Sequence, residues 1–345
     1  MIDLRLTPDQ QQIIDSVAGF LARELPLERL RPSEGRPSRA GGASWPDLAA
    51  QGWFGLAAPE EIGGAGFTAV EEALAHREFG RFLASPAILA SALAVHAAHA
   101  AGSADLALPV LEGERPVALA GLIGGGAVGP VVSGELHLLD CEPGDLLLLW
   151  DERGVAILDR DSLSDLREVA GLDGSVRLQR ARAERVEALA FVPAASAPVA
   201  RRANLLAAAA LAGMAEAVRD MAVEFAKVRI QFDKPIGSFQ AVAHHCADME
   251  IRARALSSQV AFAAVAERDG RADAPFQIAA AAVTAPATAI ANATIAIRIH
   301  GAMGFTAEAG VHHYLKRAHL LERMLGPPRL RQRALMREPS PETLG

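Results

Sequence analysis

The sequence predicts a mostly α-helical protein with a small central β module. Three observations carry that reading. Apolar residues recur at helical spacing up to about residue 113. The period changes near residue 115 to short apolar or alternating runs. From residue 200 to 337, long Ala-rich stretches are broken only by short turns. The expected modules are an N-terminal helical domain over 1–114, a shortened middle β domain over 115–199 and a C-terminal four-helix bundle over 200–337, followed by a flexible tail over 338–345.

Each element has a local cause. Thr7-Pro8-Asp9-Gln10 is a helix start, with Thr as cap, Pro at the first position and an acid in the first turn. Ile13, Ile14, Val17, Phe20 and Leu21 then follow on one helical face. Residues 32–45 carry Pro, Gly and Ser and read as a loop. Pro46 to Gly52 reads as a short helix stopped by glycine. The run from Gly55 to Gly66 is too glycine-rich for helix, and residues 68–82 and 85–101 are helical again. Val117-Ala118-Leu119-Ala120, Val131 to Leu139, Asp145 to Trp150 and Val155 to Leu158 read as strands, separated by turns such as Asp151-Glu152-Arg153-Gly154. Four long helices follow, at about 202–232, 238–268, 274–299 and 306–325. The Pro235-Ile236-Gly237, Asp269-Gly270 and Gly301 to Gly304 turns divide them. Long helices joined by short turns make an antiparallel bundle.

Composition excludes several functions. The 345 residues are 51% hydrophobic and 22% charged, with net charge −7. A dedicated nucleic-acid binder needs a basic surface. Basic residues gather only from Lys316 to Arg337, which reads as a solvated helix face. Cys141 and Cys246 fit no metal or redox spacing and read as reduced thiols. Met1 to Leu6 has no signal-peptide pattern. Leu205 to Ala217 is apolar, but Arg201, Arg202, Glu216 and Arg219 bracket it too closely for a membrane span. The expectation is a soluble cytoplasmic protein with neither a membrane nor a nucleic acid as partner. Among ten histidines, His96 and His99 share a helix, while His244-His245 and His312-His313 are adjacent pairs that point apart. No carboxylate or thiol completes a ligand set, so no metal is expected.

Two motifs carry chemistry. Arg229-Ile230-Gln231-Phe232-Asp233-Lys234-Pro235-Ile236-Gly237-Ser238-Phe239-Gln240 places a guanidinium, an aromatic and an amide around a turn. A guanidinium suits a pyrophosphate, and an aromatic suits a flat ring. Ala296-Ile297-Arg298-Ile299-His300-Gly301-Ala302-Met303-Gly304-Phe305-Thr306 is glycine-rich, as backbone passing close to phosphates must be. At this separation the two motifs resemble the flavin-contacting segments of the acyl-CoA dehydrogenases. Trp53 with Pro59-Glu60-Glu61-Ile62-Gly63-Gly64-Ala65-Gly66, and Glu78-Phe79-Gly80-Arg81 before Pro86, are also similar to that family. The resemblance covers nearly the whole chain and implies the acyl-CoA dehydrogenase fold. It implies FAD at a subunit interface, contacted by Arg229, Phe232, Gln240, Arg298, His300, Gly301 and Ala302. The implied reaction is α,β-dehydrogenation of an acyl-CoA thioester. A carboxylate removes the α proton while flavin accepts hydride from the β carbon.

The chain departs from the family where its own active site would be. Counting from Gly301, the usual base position falls at Leu325, before Gly326. The base position of a minority of members falls at Ala203, beside Arg202. Glu322, one turn before Leu325, is the remaining candidate acid. Two readings stand for it: an inward-reaching base, or a solvent-facing residue among Arg317, His319 and Arg323. The stretch from Ala120 to Pro130 lacks the hydroxyls and acids that hold flavin and substrate in the family. Arg298 replaces the family's Gln, and Ala302 its second Gly.

These losses are selective. Residues given to a neighbour's flavin are kept, and those of the chain's own site are lost. The resemblance therefore implies the non-catalytic, flavin-completing subunit of a heteromeric acyl-CoA dehydrogenase, an α2β2 assembly with a related chain, similar to actinobacterial steroid-degrading enzymes. Two alternatives stand: a self-sufficient homotetramer with an unrecognised base, and a flavin-free structural subunit.

Overall fold

Thr7 caps α1 (Pro8–Glu24) through a reciprocal capping box. Its hydroxyl accepts from the Gln10 amide at 3.2 Å, and the Gln10 side chain accepts from the Thr7 amide at 3.1 Å. The protein is described by a computed structural model over residues 4–30, 39–40, 43–306, 308–339 and 341. Most of the loop expected over 32–45 and most of the tail expected over 338–345 lie outside these residues. The helical N-terminal part continues with α2 (Trp45–Ala49), α3 (Ala69–Arg81), α4 (Pro86–Ala100) and α5 (Ala104–Leu111). Strands β1 (Val117–Ile123), β2 (Val131–Leu139), β3 (Leu146–Asp151), β4 (Gly154–Asp159), β5 (Ser164–Glu168), β6 (Leu178–Glu187) and β7 (Ala190–Pro193) follow. The C-terminal part holds α6 (Val199–Val228), the short strands β8 (Ile230–Gln231) and β9 (Lys234–Pro235), α7 (Gln240–Arg268), α8 (Ala274–His300), α9 (Val311–Met324) and α10 (Pro328–Arg337). The molecule is thus mostly α with a central seven-stranded sheet.

Three details correct the expectations. Strands β5 and β6 had no apolar alternation strong enough to mark them, because β5 is largely exposed and the buried positions of β6 are held mainly by Gln179, Ala181 and Ala183. The first long helix stops at Val228 rather than 232, because Phe232 and Asp233 take left-handed φ of 52° and 62°. The residue before Pro235 is also biased away from helix. A separate helix, α10, follows α9, because Gly326 turns the chain at φ 82° and Pro328 then starts a new helix at its first position.

The chain divides into two compact units. One consists of residues 36–72 and 84–206. Its sheet runs in the order β5-β6-β2-β1-β3-β4-β7, with β1 and β3 parallel and the other pairs antiparallel. Leu136, Leu138, Leu147, Leu149 and Leu158 fill one side of it. Helix α4 packs on β1, β3, β4 and β7. It is apolar all round and almost wholly buried, as a core helix must be. Arg39 makes a two-pronged pair with Asp145, at 2.5 and 3.1 Å, and lies 4.9 Å from the Trp45 ring. It pins its segment to the turn before β3.

The other unit consists of residues 1–35, 73–83 and 207–345. In it, α3 crosses α6 at backbone contact. A Cβ on Gly80 would stand 1.9 Å from the Ala210 carbonyl oxygen, and one on Gly213 would stand 1.8 Å from that of Arg77. Only glycine fits at this crossing. Asn292, fully buried in α8, donates to the carbonyls of Ala215 at 3.2 Å and Met249 at 3.0 Å, tying α6, α7 and α8 together. The C-terminal end of α3 is held by cations, as the helix dipole favours. Arg29 donates to Leu83 O at 2.8 Å, Arg317 donates to it at 3.2 Å, and the Tyr314 hydroxyl donates to Arg81 O. Among the described residues, only the stretch Ala274–Phe305 is long and apolar enough to cross a membrane. Its Ile278, Ala281, Ala285, Ala289 and Ala293 are buried in the protein.

Candidate functional site

The site expected from sequence is built from the corner between α6 and α7. Helix α6 ends with the Arg229 amide donating to Phe225 O at 2.9 Å. The chain then reverses in a two-residue hairpin, with Ile230 opposite Pro235 and Gln231 opposite Lys234. Such a turn needs φ > 0 at both corner residues, a conformation that Asn and Gly take readily. Here Phe232 and Asp233 take it, although a bulky side chain there is strained. The Phe232 ring is 85% exposed. It meets Phe239 edge-on at 6.0 Å, and Lys234 Nζ lies 4.4 Å from the Phe239 ring. The corner is closed by Ile236 N donating to Arg229 O at 2.8 Å and the Ser238 hydroxyl donating to Pro235 O at 2.7 Å. Arg229 and Gln240 are exposed. Strained backbone thus holds an exposed aromatic three residues after an exposed arginine.

The second motif ends α8. The Gly301 amide donates to Arg298 O, and Gly301 takes φ 62° with open space where a Cβ would project. Gly304 is buried, and a Cβ on it would stand 2.7 Å from Ile297 O. Arg298, Met303 and Phe305 are exposed, Phe305 at 77%. One ring contact links the last turn of α6 to the end of α8. His300 stacks on Phe225, in the last turn of α6, with ring centroids 4.3 Å apart. His300 Nδ1 lies 2.8 Å from Ala296 O, so it carries the proton and leaves Nε2 as an acceptor. Burial lowers the His300 pKa below the usual histidine value, and the backbone contact at Ala296 opposes the shift. The last turn of α6, which leads into Arg229 and Phe232, thus lies against a neutral histidine that precedes the bare backbone of Gly301. A flavin's pyrophosphate, with an aromatic beside it, fits this donor set.

The base positions are elsewhere. Leu325 ends α9 and is 8% exposed. Ala203 is fully buried in α6. Arg202 points to the buried carboxylate of Glu72 at 3.2 Å, and His96 Nε2 reaches the same carboxylate at 2.8 Å. Nothing in the sequence marked this trio, because its members are far apart along the chain. Glu322 lies 3.5 Å from Arg331 Nη2 and 3.7 Å from His319 Nδ1, and its carbonyl accepts from Arg331 at 3.1 Å. It fixes α10 to α9. Between β1 and β2, the Val128 amide donates to Asp151 at 2.9 Å. That carboxylate comes from β3, outside the expected stretch. Cys141 is no nucleophile, since burial pushes its thiol up to about 12. Among the described residues, no group of three His, Cys, Asp or Glu side chains is placed to hold a metal.

This fold and these two motifs define a class, and comparison with known proteins identifies it. The acyl-CoA dehydrogenase N-terminal domain model matches residues 7–111, and the C-terminal domain model matches residues 200–338. The chain belongs to the acyl-CoA dehydrogenase family, a family of flavoprotein oxidoreductases. It is 31% identical over 324 residues to acyl-CoA dehydrogenase IpdE2 of Mycobacterium tuberculosis, covering 93% of this chain and 95% of that one. Among solved structures it is similar to the ChsE4–ChsE5 complex of Mycobacterium tuberculosis, with TM-score 0.82, 23% identity and 98% of each chain covered. It is also similar to the Tcur3481–Tcur3483 steroid acyl-CoA dehydrogenase variant, with TM-score 0.77, 23% identity and coverage of 95% and 96%.

Proposed function

We propose that this chain is the flavin-completing, base-lacking subunit of a heteromeric acyl-CoA dehydrogenase. The observation that carries the reading is the contrast between its two sets of residues. The corner that would meet a neighbour's FAD is exposed and held in strained geometry, with Phe232 85% exposed. The positions of the family base hold a buried leucine, Leu325, and a buried alanine, Ala203. Two solved relatives named as complexes of two chains support a partner of the same family. Glu322 is engaged by Arg331 and His319, which favours its structural role over a catalytic one.

In the assembled enzyme, Arg229 would neutralise the pyrophosphate of the partner's FAD, and Phe232 and Gln240 would help to hold it. Arg298, Gly301 and Ala302 would hold its adenosine diphosphate end. His300 stays neutral and presents Nε2 as an acceptor. When bound, the flavin takes hydride from the β carbon of an acyl-CoA thioester. The partner chain supplies the carboxylate that removes the α proton and the pocket for the acyl group. The stoichiometry expected is α2β2, in the cytoplasm.

The reading is tested by Arg229→Ala in the two-chain complex. The guanidinium contributes a charge-assisted contact of about 1.5–3 kcal/mol to a bound pyrophosphate. We expect flavin per complex, read from absorbance after gel filtration, to fall by roughly ten-fold or more while the complex stays assembled. Unchanged flavin content would remove Arg229 from the site.

A further inference from the structure

We propose that the outer face of α10 docks an acidic face of the related partner chain, and that its charge selects that chain over a second copy of this one. The choice of occupant rests on the heteromer reading above; the charge and geometry of the face do not.

Four observations build it. First, charge is divided unevenly along the chain. Residues 316–337 carry seven Lys or Arg and one acid, a net +6 in a chain of net −7, which leaves −13 on the rest. Second, the outward cations of α10 stand in line. Arg329, Arg333 and Arg337 are exposed, recur every four residues, and share the helix with no acid. Residues at this spacing lie on one helix face, where like charges repel. Arg329 and Arg333 have no partner among the described residues. Third, the inward arginine is satisfied. Arg331 donates to the carbonyls of Glu322 and Gly326 and lies 3.5 Å from the Glu322 carboxylate. One arginine therefore fixes the helix, and the outward pair fixes nothing within the chain. Fourth, the face is not purely polar. Met336, three residues after Arg333, is 84% exposed, and Leu330 is 51% exposed.

This arrangement works against the helix itself. Its first turn holds no acid, its N-terminus has no side-chain cap, and Arg329 sits in that turn against the helix dipole. Local conflict of this kind points to a compensating gain elsewhere. Carboxylates from a partner supply it, because the guanidinium fork matches a carboxylate. Arg and Met are also enriched at protein interfaces, where Lys and Glu are depleted. An anionic membrane fits less well, since a membrane-surface helix buries a broad apolar face. In a two-fold pair of identical chains the same patch meets itself. Opposed arginines would then repel, which disfavours self-pairing at this face.

The test measures assembly with the related base-bearing chain, by sedimentation at low and high salt, for the parent and for Arg329→Gln/Arg333→Gln. We expect the double variant to weaken assembly by roughly ten-fold or more at low salt, with the difference narrowing at high salt. The variant chain alone should keep or raise its Tm, because two repelling charges leave α10; a merely structural role predicts a lower one. Arg323→Gln removes an exposed charge from α9 and should leave assembly unchanged. Equal assembly by the double variant, or an equal loss in Arg323→Gln, would overturn the docking face and leave the heteromer standing. A parent pair that does not assemble would reject the heteromer reading and the docking face together. Unchanged assembly, with binding to phosphatidylserine vesicles lost in the double variant, would give the face to a membrane and overturn the proposal.

Discussion

His300 shows how one side chain joins two helix ends distant in sequence, the end of α8 and the last turn of α6. Its ring stacks on Phe225 and its Nδ1 donates to Ala296 O. Burial holds its pKa below the usual histidine value, so the folded protein binds fewer protons than the unfolded chain just below about pH 6.5. The neutral ring's contribution to stability is complete above that pH and is lost as pH falls toward the folded-state pKa. His300→Phe keeps the stack and removes the titration. We expect the drop in Tm between pH 7.5 and 5.5 to be smaller in His300→Phe than in the parent protein, measured by scanning calorimetry. Equal drops would show that His300 does not titrate on unfolding. At this scale the candidate residues were legible, and their role toward a flavin is our proposal. Arg229, Phe232 and Gln240 stand out by residue type and spacing. The Phe225 partner did not, because Phe225 lies inside an ordinary helical pattern. Nor did Glu72, whose two partners come from other helices.

The crossing of α3 and α6 sets the packing of the helical unit. Gly80 and Gly213 remove the two side chains that would stand between the helices. Gly213→Ala would bring a methyl group 1.8 Å from Arg77 O, and the helices must separate to admit it. Overpacking of this kind costs about 1–3 kcal/mol. The expected result is a lower midpoint in denaturant unfolding at unchanged slope; an unchanged midpoint would mean that the crossing relaxes freely. Helical elements were the most legible part of the fold, because their apolar period runs over many turns. Boundaries set by single conformations were less so. The left-handed pair Phe232 and Asp233 ends α6 early, and no propensity rule places those residues there. Strand β5 escaped because a largely exposed strand carries no apolar alternation, and β6 because its alternating buried positions hold Gln179, Ala181 and Ala183 rather than large apolar residues.

At the scale of the whole molecule, the family follows from the two domain models and a relative that is 31% identical over 324 residues. The division of labour between subunits is our proposal, and it rests on what the chain keeps and what it lacks. A subunit with no base and a depleted flavin loop should hold little flavin by itself. The central claim is tested most directly by the visible absorbance spectrum of the purified chain, alone and then co-expressed with a related chain that carries an intact base. The account predicts flavin bands only in the pair. Flavin bands of full intensity in the chain alone would contradict it.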